Sequence, residues 1–278
     1  YDDVAQKAGV AVISGASSIP ALSHAVIDKL RHSWRAIDDI YVGIFPGNRA
    51  PRGLSVVQSI LSYAGRPVRV FKNGHWQQLT GWAGLHRRNI PFAGKRWASI
   101  CDTPEQDLLV EAYKPVRSAE FYAGMELSIL HLGLYILSLP VRWGWLNTLE
   151  PASKALLWMS RQFLPFGSDI GAMDVEISGH NASGQSRTSR WVLRADANHG
   201  PNVPIFAAAI LARRLAKGIA LPKGARPCDG LIKLEEFEAD FAQFGIKTVM
   251  RENAAPQRSA LLERIVLRFP IASRFLSV

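Results

Sequence analysis

Apolar and polar positions change their period often enough along this chain to mark its elements. Val4 and Ala8 stand one helical turn apart ahead of Gly9, which predicts a short helix, and the run VAVIS that follows predicts a buried strand. Ser17, Ser18 and Pro20 open a helix that should run to about Arg31. Residues 37–45 read as a strand, and residues 54–64 as a helix closed by Gly65. In PVRVFKNGHWQQLTGW, Val68 and Val70 alternate and Asn73-Gly74 supplies a two-residue turn, so a hairpin is expected. RWASICD (96–102) and VRSAEFYAGM (116–125) read as further strands.

The second half follows the same logic. Residues 126–163 form the most apolar stretch and read as buried helix broken at Pro140 and Pro151. Residues 174–197 predict a second hairpin around a Gly/Asn/Ser-rich loop, followed by a helix at about 203–217 ending at Gly218. GLIK predicts a strand, residues 235–243 an acidic-faced helix, and the residues after Gly245 a last strand. A final helix is expected at 259–268. Hairpins mixed with helical crossovers predict an α+β (mixed α/β) domain, with a mixed parallel and antiparallel sheet flanked by helices.

Charge and cysteine content narrow the chemistry. The formal net charge of +10 on 278 residues favours anionic partners. The cations are dispersed and no nucleic-acid motif is present, so a small anionic substrate is expected rather than a polynucleotide. Cys101 and Cys228 stand alone, which argues against a metal site and suits a reducing cytoplasm. The uncharged run Leu127 to Val141 is about 15 residues, short of the ~20 that a spanning helix needs. Trp143, Trp145 and Trp158 beside Arg142, Lys154 and Arg161 leave two readings, core or subunit interface on one side and a lipid surface on the other.

Three stretches carry candidate chemistry. In GIFPGNRAPRG (43–53), Asn48, Arg49 and Arg52 lie between a strand and a helix start. There they could clamp a carboxylate or phosphate, or pair with acids across a domain boundary. In RADANHGP (194–201), Asp196 and His199 could pass a proton, with Gly200 letting a ligand approach the backbone; the alternative is a capping loop. In FGSDIGAM (166–173), Ser168 and Asp169 could touch substrate or merely form a tight turn. Asp102 and Glu126 read as helix caps, and His131 as a core or interface histidine. Cys228 lacks a neighbouring base and does not read as a nucleophile.

The order of these features resembles a known family. AQKAGVAVISGASSIPALSHAVIDKL, GRPVRVFKNGHWQQLTGW, GSDIGAM, ADANHGPNVP, AAILARRLAKG and GARPCDG together resemble the saccharopine dehydrogenase-like oxidoreductases, in particular the second domain of the saccharopine reductase branch. The resemblance spans roughly residues 5–250. It implies that residues 1–36 are the last helix–strand unit of a Rossmann domain with its exit helix. Residues 37–252 would then be a substrate-binding and dimerisation domain, and 253–278 a tail. It also implies a homodimer that uses NAD or NADP on an amino-acid-derived carbonyl or imine. The sequence holds no GxGxxG turn, so the expectation is an N-terminally truncated chain with no cofactor bound to this fragment. A non-catalytic homologue that binds lipid or a protein partner through residues 126–163 is the competing expectation.

Overall fold

The computed structural model describes residues 1–254, and the expected helix at 259–268 lies outside them. Eleven strands are present among the described residues: β1 (Ala11–Ser14), β2 (Trp34–Phe45), β3 (Pro67–Lys72), β4 (His75–Thr80), β5 (His86–Ile90), β6 (Gly94–Ile100), β7 (Ser118–Ala123), β8 (Gly171–Asn181), β9 (Ser186–Ala195), β10 (Gly224–Pro227) and β11 (Lys247–Ala254). The α-helices are α1 (Asp2–Ala8), α2 (Ser23–Leu30), α3 (Leu54–Tyr63), α4 (Glu105–Tyr113), α5 (Ser128–Arg142), α6 (Ser153–Arg161), α7 (Val203–Ala216) and α8 (Leu234–Gln243).

The main sheet runs β11-β9-β8-β2-β7-β3-β4, with β6 also paired to β7 and β5 to β6. β2 and β7 are parallel, while β8 is antiparallel to both β2 and β9. The mixed sheet flanked by helices is thus the fold the sequence predicts. Since β8 reverses between them, β2, β7 and β9 all end at the same edge of the molecule.

Period-two alternation gives the sheet two buried faces. Trp191 and Leu193 join a cluster with Ala25, Ile27, Phe206 and Phe237, so α2, α7 and α8 cover one face. Val192, between them in sequence, joins the other cluster with Phe45, Leu61, Trp82 and Leu134, drawn from the α3, α5 and β3–β6 side.

Several sequence expectations need correction. β1 is mostly exposed rather than buried, because it pairs with β10 alone in a two-stranded parallel sheet. The helix expected from Ser17 starts at Ser23, since Ile19 is extended (φ −131°, ψ 134°) and interrupts the first turn. GLIK is not a strand; the strand lies earlier, at β10. β5 and α4 went unpredicted. β5, HRRNI, carries four polar residues before its single apolar end, and α4 has only a narrow apolar stripe.

The largest correction concerns residues 126–163. Pro140 lies inside α5 near its C-terminal end, and the helix continues through it to Arg142. Moreover, the stretch is not buried on all sides. Ile129, Ile136 and Leu137 are exposed, and Trp143, Trp145 and Trp158 are 57%, 73% and 66% exposed. The tryptophans therefore do not pack in this chain's own core.

Candidate functional site

The shared edge at the ends of β2, β7 and β9 collects the candidate residues. β2 ends at Phe45 and leads into Pro46, Gly47 and Asn48; β7 ends at Ala123 and leads into Gly124, Met125 and Glu126. The Ser168–Asp169 turn enters β8 here, and Asp196 to Gly200 leave β9 here. Ligands of open α/β sheets gather at the carboxyl ends of the strands, because loops there can vary while the sheet holds them in place.

Glu126 joins three of these loops. Its Oε2 accepts the backbone N–H of Asn48 at 2.6 Å and that of Ser168 at 2.9 Å. Its Oε1 accepts the Ser168 hydroxyl at 2.5 Å. Burial works to raise the Glu126 carboxyl, but the bonds from Ser168 and Asn48, with the Arg96 charge, outweigh it and hold the group below the ordinary carboxylate range. Sequence reasoning treated Glu126 as a helix cap; α5 has Leu127 at its cap position and no side-chain cap.

Arg96 is the second residue that sequence reasoning missed. It is buried, and its guanidinium donates to the carbonyls of Phe45 and Pro46 on one side and of Ile170 on the other, spanning β2 and the turn into β8. Glu126 lies 3.8 Å away. The available signal was an arginine next to the mostly apolar run WASI of a strand.

The loops also meet closely at two glycines. A Cβ on Gly47 would stand 2.6 Å from the Asp169 carbonyl carbon, and one on Gly167 would stand 2.2 Å from the Asn48 Cβ. Glycine is needed at Gly47 because the backbones touch, and at Gly167 because the Asn48 side chain lies against it. The Arg49 N–H donates to the Ser168 carbonyl at 2.9 Å, and the Asp169 carboxylate accepts the Asn198 N–H at 2.8 Å.

The structure therefore gathers Asn48, Arg49, Arg52, Ser168 and Asp169 at one place, with Gly200 close by: a Cβ on Gly171 would lie 3.7 Å from the Gly200 Cα. The roles differ. Asn48 is buried, and its Nδ2 donates to the Phe163 carbonyl. Arg52 Nη2 donates to the Asn48 carbonyl and side-chain oxygens at 2.5 and 2.7 Å, so part of its hydrogen-bonding capacity holds its own loop. Burial works against its charge and the Glu126 carboxylate partly restores it. Arg49 is exposed, and among the described residues its side chain reaches only the Pro165 carbonyl, at 3.4 Å.

Asp196 and His199 do not form a proton-passing pair. The Asp196 carboxylate binds Arg194 at 3.0 Å. The His199 Nδ1 meets Asn202, and the ring packs edge-on against Phe244. Only backbone joins the two residues, through the His199 N–H and the Asp196 carbonyl.

Beside the Glu126 junction opens a cavity of about 550 Å³. Its walls are Ile44 and Phe121 from the sheet, the inner sides of α3 and α5, and Leu156 and Met159 of α6. Arg52 and Glu126 are its charged residues. Tyr63 and Cys101 line it but bond to each other at 2.9 Å, and burial pushes the Cys101 thiol up to about 11. His131, behind the cavity wall, is fully buried between Ser99 and the Met125 N–H, as a core histidine would be.

Comparison with known proteins shows the fold. The chain is similar to the apo form of a histidine-tagged saccharopine dehydrogenase (L-Glu forming) from Saccharomyces cerevisiae, with TM-score 0.57 and 13% identity over 89% of this chain and 75% of that one. At that identity the likeness establishes a dehydrogenase-like fold. No protein-family model and no curated protein matches the sequence. Among the described residues no helix is long and apolar enough to cross a membrane, and no group of ligating side chains could hold a metal ion.

Proposed function

We propose that this chain is the substrate-binding and dimerisation region of an NAD(P)-dependent oxidoreductase of the saccharopine dehydrogenase-like group. The carrying observation is the convergence of β2, β7 and β9 at an edge that opens into the cavity. That placement suits a reacting carbonyl or imine carbon held at the strand ends, with a dinucleotide brought against it by residues other than a glycine-rich turn of this sequence. Arg52 would polarise or anchor an acceptor oxygen at the mouth. The amino-acid skeleton implied by the resemblance is not carried forward. The cavity walls are apolar, and Arg52 already serves Asn48.

The test is titration of the full-length protein with NADH and NADPH, followed by nicotinamide fluorescence. Saturable enhancement with one of them is expected; an unchanged emission with both contradicts the oxidoreductase reading.

One observation favours a second reading, attachment to an anionic lipid surface. Trp143, Trp145 and Trp158 are exposed beside the exposed Arg142, Lys154 and Arg161. Flotation with anionic vesicles that is lost in Trp143→Ala/Trp145→Ala supports it. Flotation unaffected by that double variant counts against it.

A further inference from the structure

We infer that the cavity between α3, α5 and α6 holds a long aliphatic chain, so that the substrate is an acyl compound whose polar end lies at Arg52. This deepens the oxidoreductase reading by naming the substrate class of the same site.

The wall chemistry carries the argument. The inward positions are Val57, Ile60 and Leu61 of α3, Leu130 and Leu134 of α5, and Leu156 of α6. Apart from Arg52 at the mouth, the side-chain polar atoms that reach this region are already paired. Tyr63 meets Cys101, Trp82 Nε1 donates to the His131 carbonyl at 3.2 Å, and Ser160 donates to the Leu157 carbonyl at 2.8 Å. A peptide, a sugar or a nucleotide placed here would bury donors and acceptors that find no partner. A hydrocarbon chain has none to satisfy. The volume of about 550 Å³ lies within the roughly 300–1,000 Å³ of small-molecule sites.

Gly133 points the same way. It lies mid-helix in α5 and lines the cavity, yet a Cβ built on it meets nothing within 4 Å. Glycine there weakens a helix relative to alanine, so the sequence keeps space open where filling it would stabilise the element. At the rim, Val56, Ile129, Leu137 and Met159 are exposed and line the opening, giving a chain an apolar way in. At the other end, Arg52 Nε and Nη1 make no hydrogen bond among the described residues and remain available to an acyl oxygen.

The experiment is displacement of a fluorescent polyene fatty acid from the 278-residue chain by saturated fatty acids of increasing length, below their micelle thresholds, with no dinucleotide present. Dinucleotide binding and chain binding therefore succeed or fail separately. Affinity should rise roughly fourfold per added methylene until the cavity is full, then level off. Gly133→Leu, which projects side-chain carbons into the empty space, should melt at or above the wild-type temperature and bind at least tenfold more weakly. If Gly133→Leu loses its cooperative melt, Leu130→Phe supplies the bulk from the same helix. Affinity independent of chain length overturns the proposal, as does full binding by the filled variant. Loss of binding in Trp143→Ala/Trp145→Ala with none in the filled variant overturns it too, and places the chain on the exposed tryptophans.

Discussion

The Glu126 carboxylate accepts the backbone N–H of Asn48 at 2.6 Å across 78 residues of sequence. With its bonds to Ser168, that single side chain ties the loop after β2 to the turn before β8. Glu126→Gln keeps the shape but brings an amide that must accept from two backbone donors. A loss of about 2 kcal/mol in urea-monitored stability is expected, the scale of hydrogen bonds to a charged group. The sign with pH follows from the depressed carboxyl. Its contribution is present above the ordinary 4.5 and disappears as pH falls through the folded-state value, so the variant and wild type should converge in acid. Equal stabilities at neutral pH would remove Glu126 from its place as the tie.

Arg96 should tolerate no conservative replacement. Its planar fork reaches the Phe45, Pro46 and Ile170 carbonyls from one buried position. A lysine ammonium keeps the charge but not the fork. Arg96→Lys is expected to lose roughly 2–4 kcal/mol, since more than one buried carbonyl is left unpaired. Thermal and urea unfolding measure this, and a shift under 0.5 kcal/mol, the size of an ordinary surface substitution, would contradict it.

Two buried groups give opposite pH limbs. Burial brings His131 down from 6.5 to about 4. The geometry agrees, because Nδ1 accepts the Met125 N–H and a second proton would face that donor. The unfolded chain takes up this proton first, so stability falls as pH drops from 6.5 toward 4, by at most about 1.4 kcal/mol per pH unit for this group. Burial pushes Glu105 up from 4.5 to about 8, a trend opposed by its bond with Ser23. Here the folded chain keeps the proton, so stability falls as pH rises from 4.5 to 8. Glu105→Gln should flatten the alkaline limb and leave the acid one. A stability–pH curve with an unchanged alkaline limb would contradict the assignment.

The elements written in local pattern were legible from the sequence. Asn73-Gly74 between alternating strands specified the β3–β4 hairpin, and Gly65 and Gly218 marked helix ends. What failed depended on partners distant in sequence. β1 reads as buried because its residues are apolar, but burial requires neighbours, and among the described residues β10 is its one strand partner. Residues 126–163 read as core for the same reason, while only some of their apolar positions, such as Val141 and Leu149, join it and the others line the cavity or face outward. At the site, the loops holding Asn48, Ser168 and Asp169 stood out through their glycines, prolines and charges. Glu126 and Arg96 did not. A lone acid before a helix and a lone arginine in a strand carry no spacing that reveals a partner in another loop.

Amide hydrogen exchange of the full-length protein, with and without saturating NADPH or NADH, tests the central claim most directly. If substrate and cofactor meet at the ends of β2, β7 and β9, exchange should slow in segments 46–52, 124–126 and 166–170 when the dinucleotide binds. Dinucleotide binding that leaves all three segments unchanged would contradict the placement of the site.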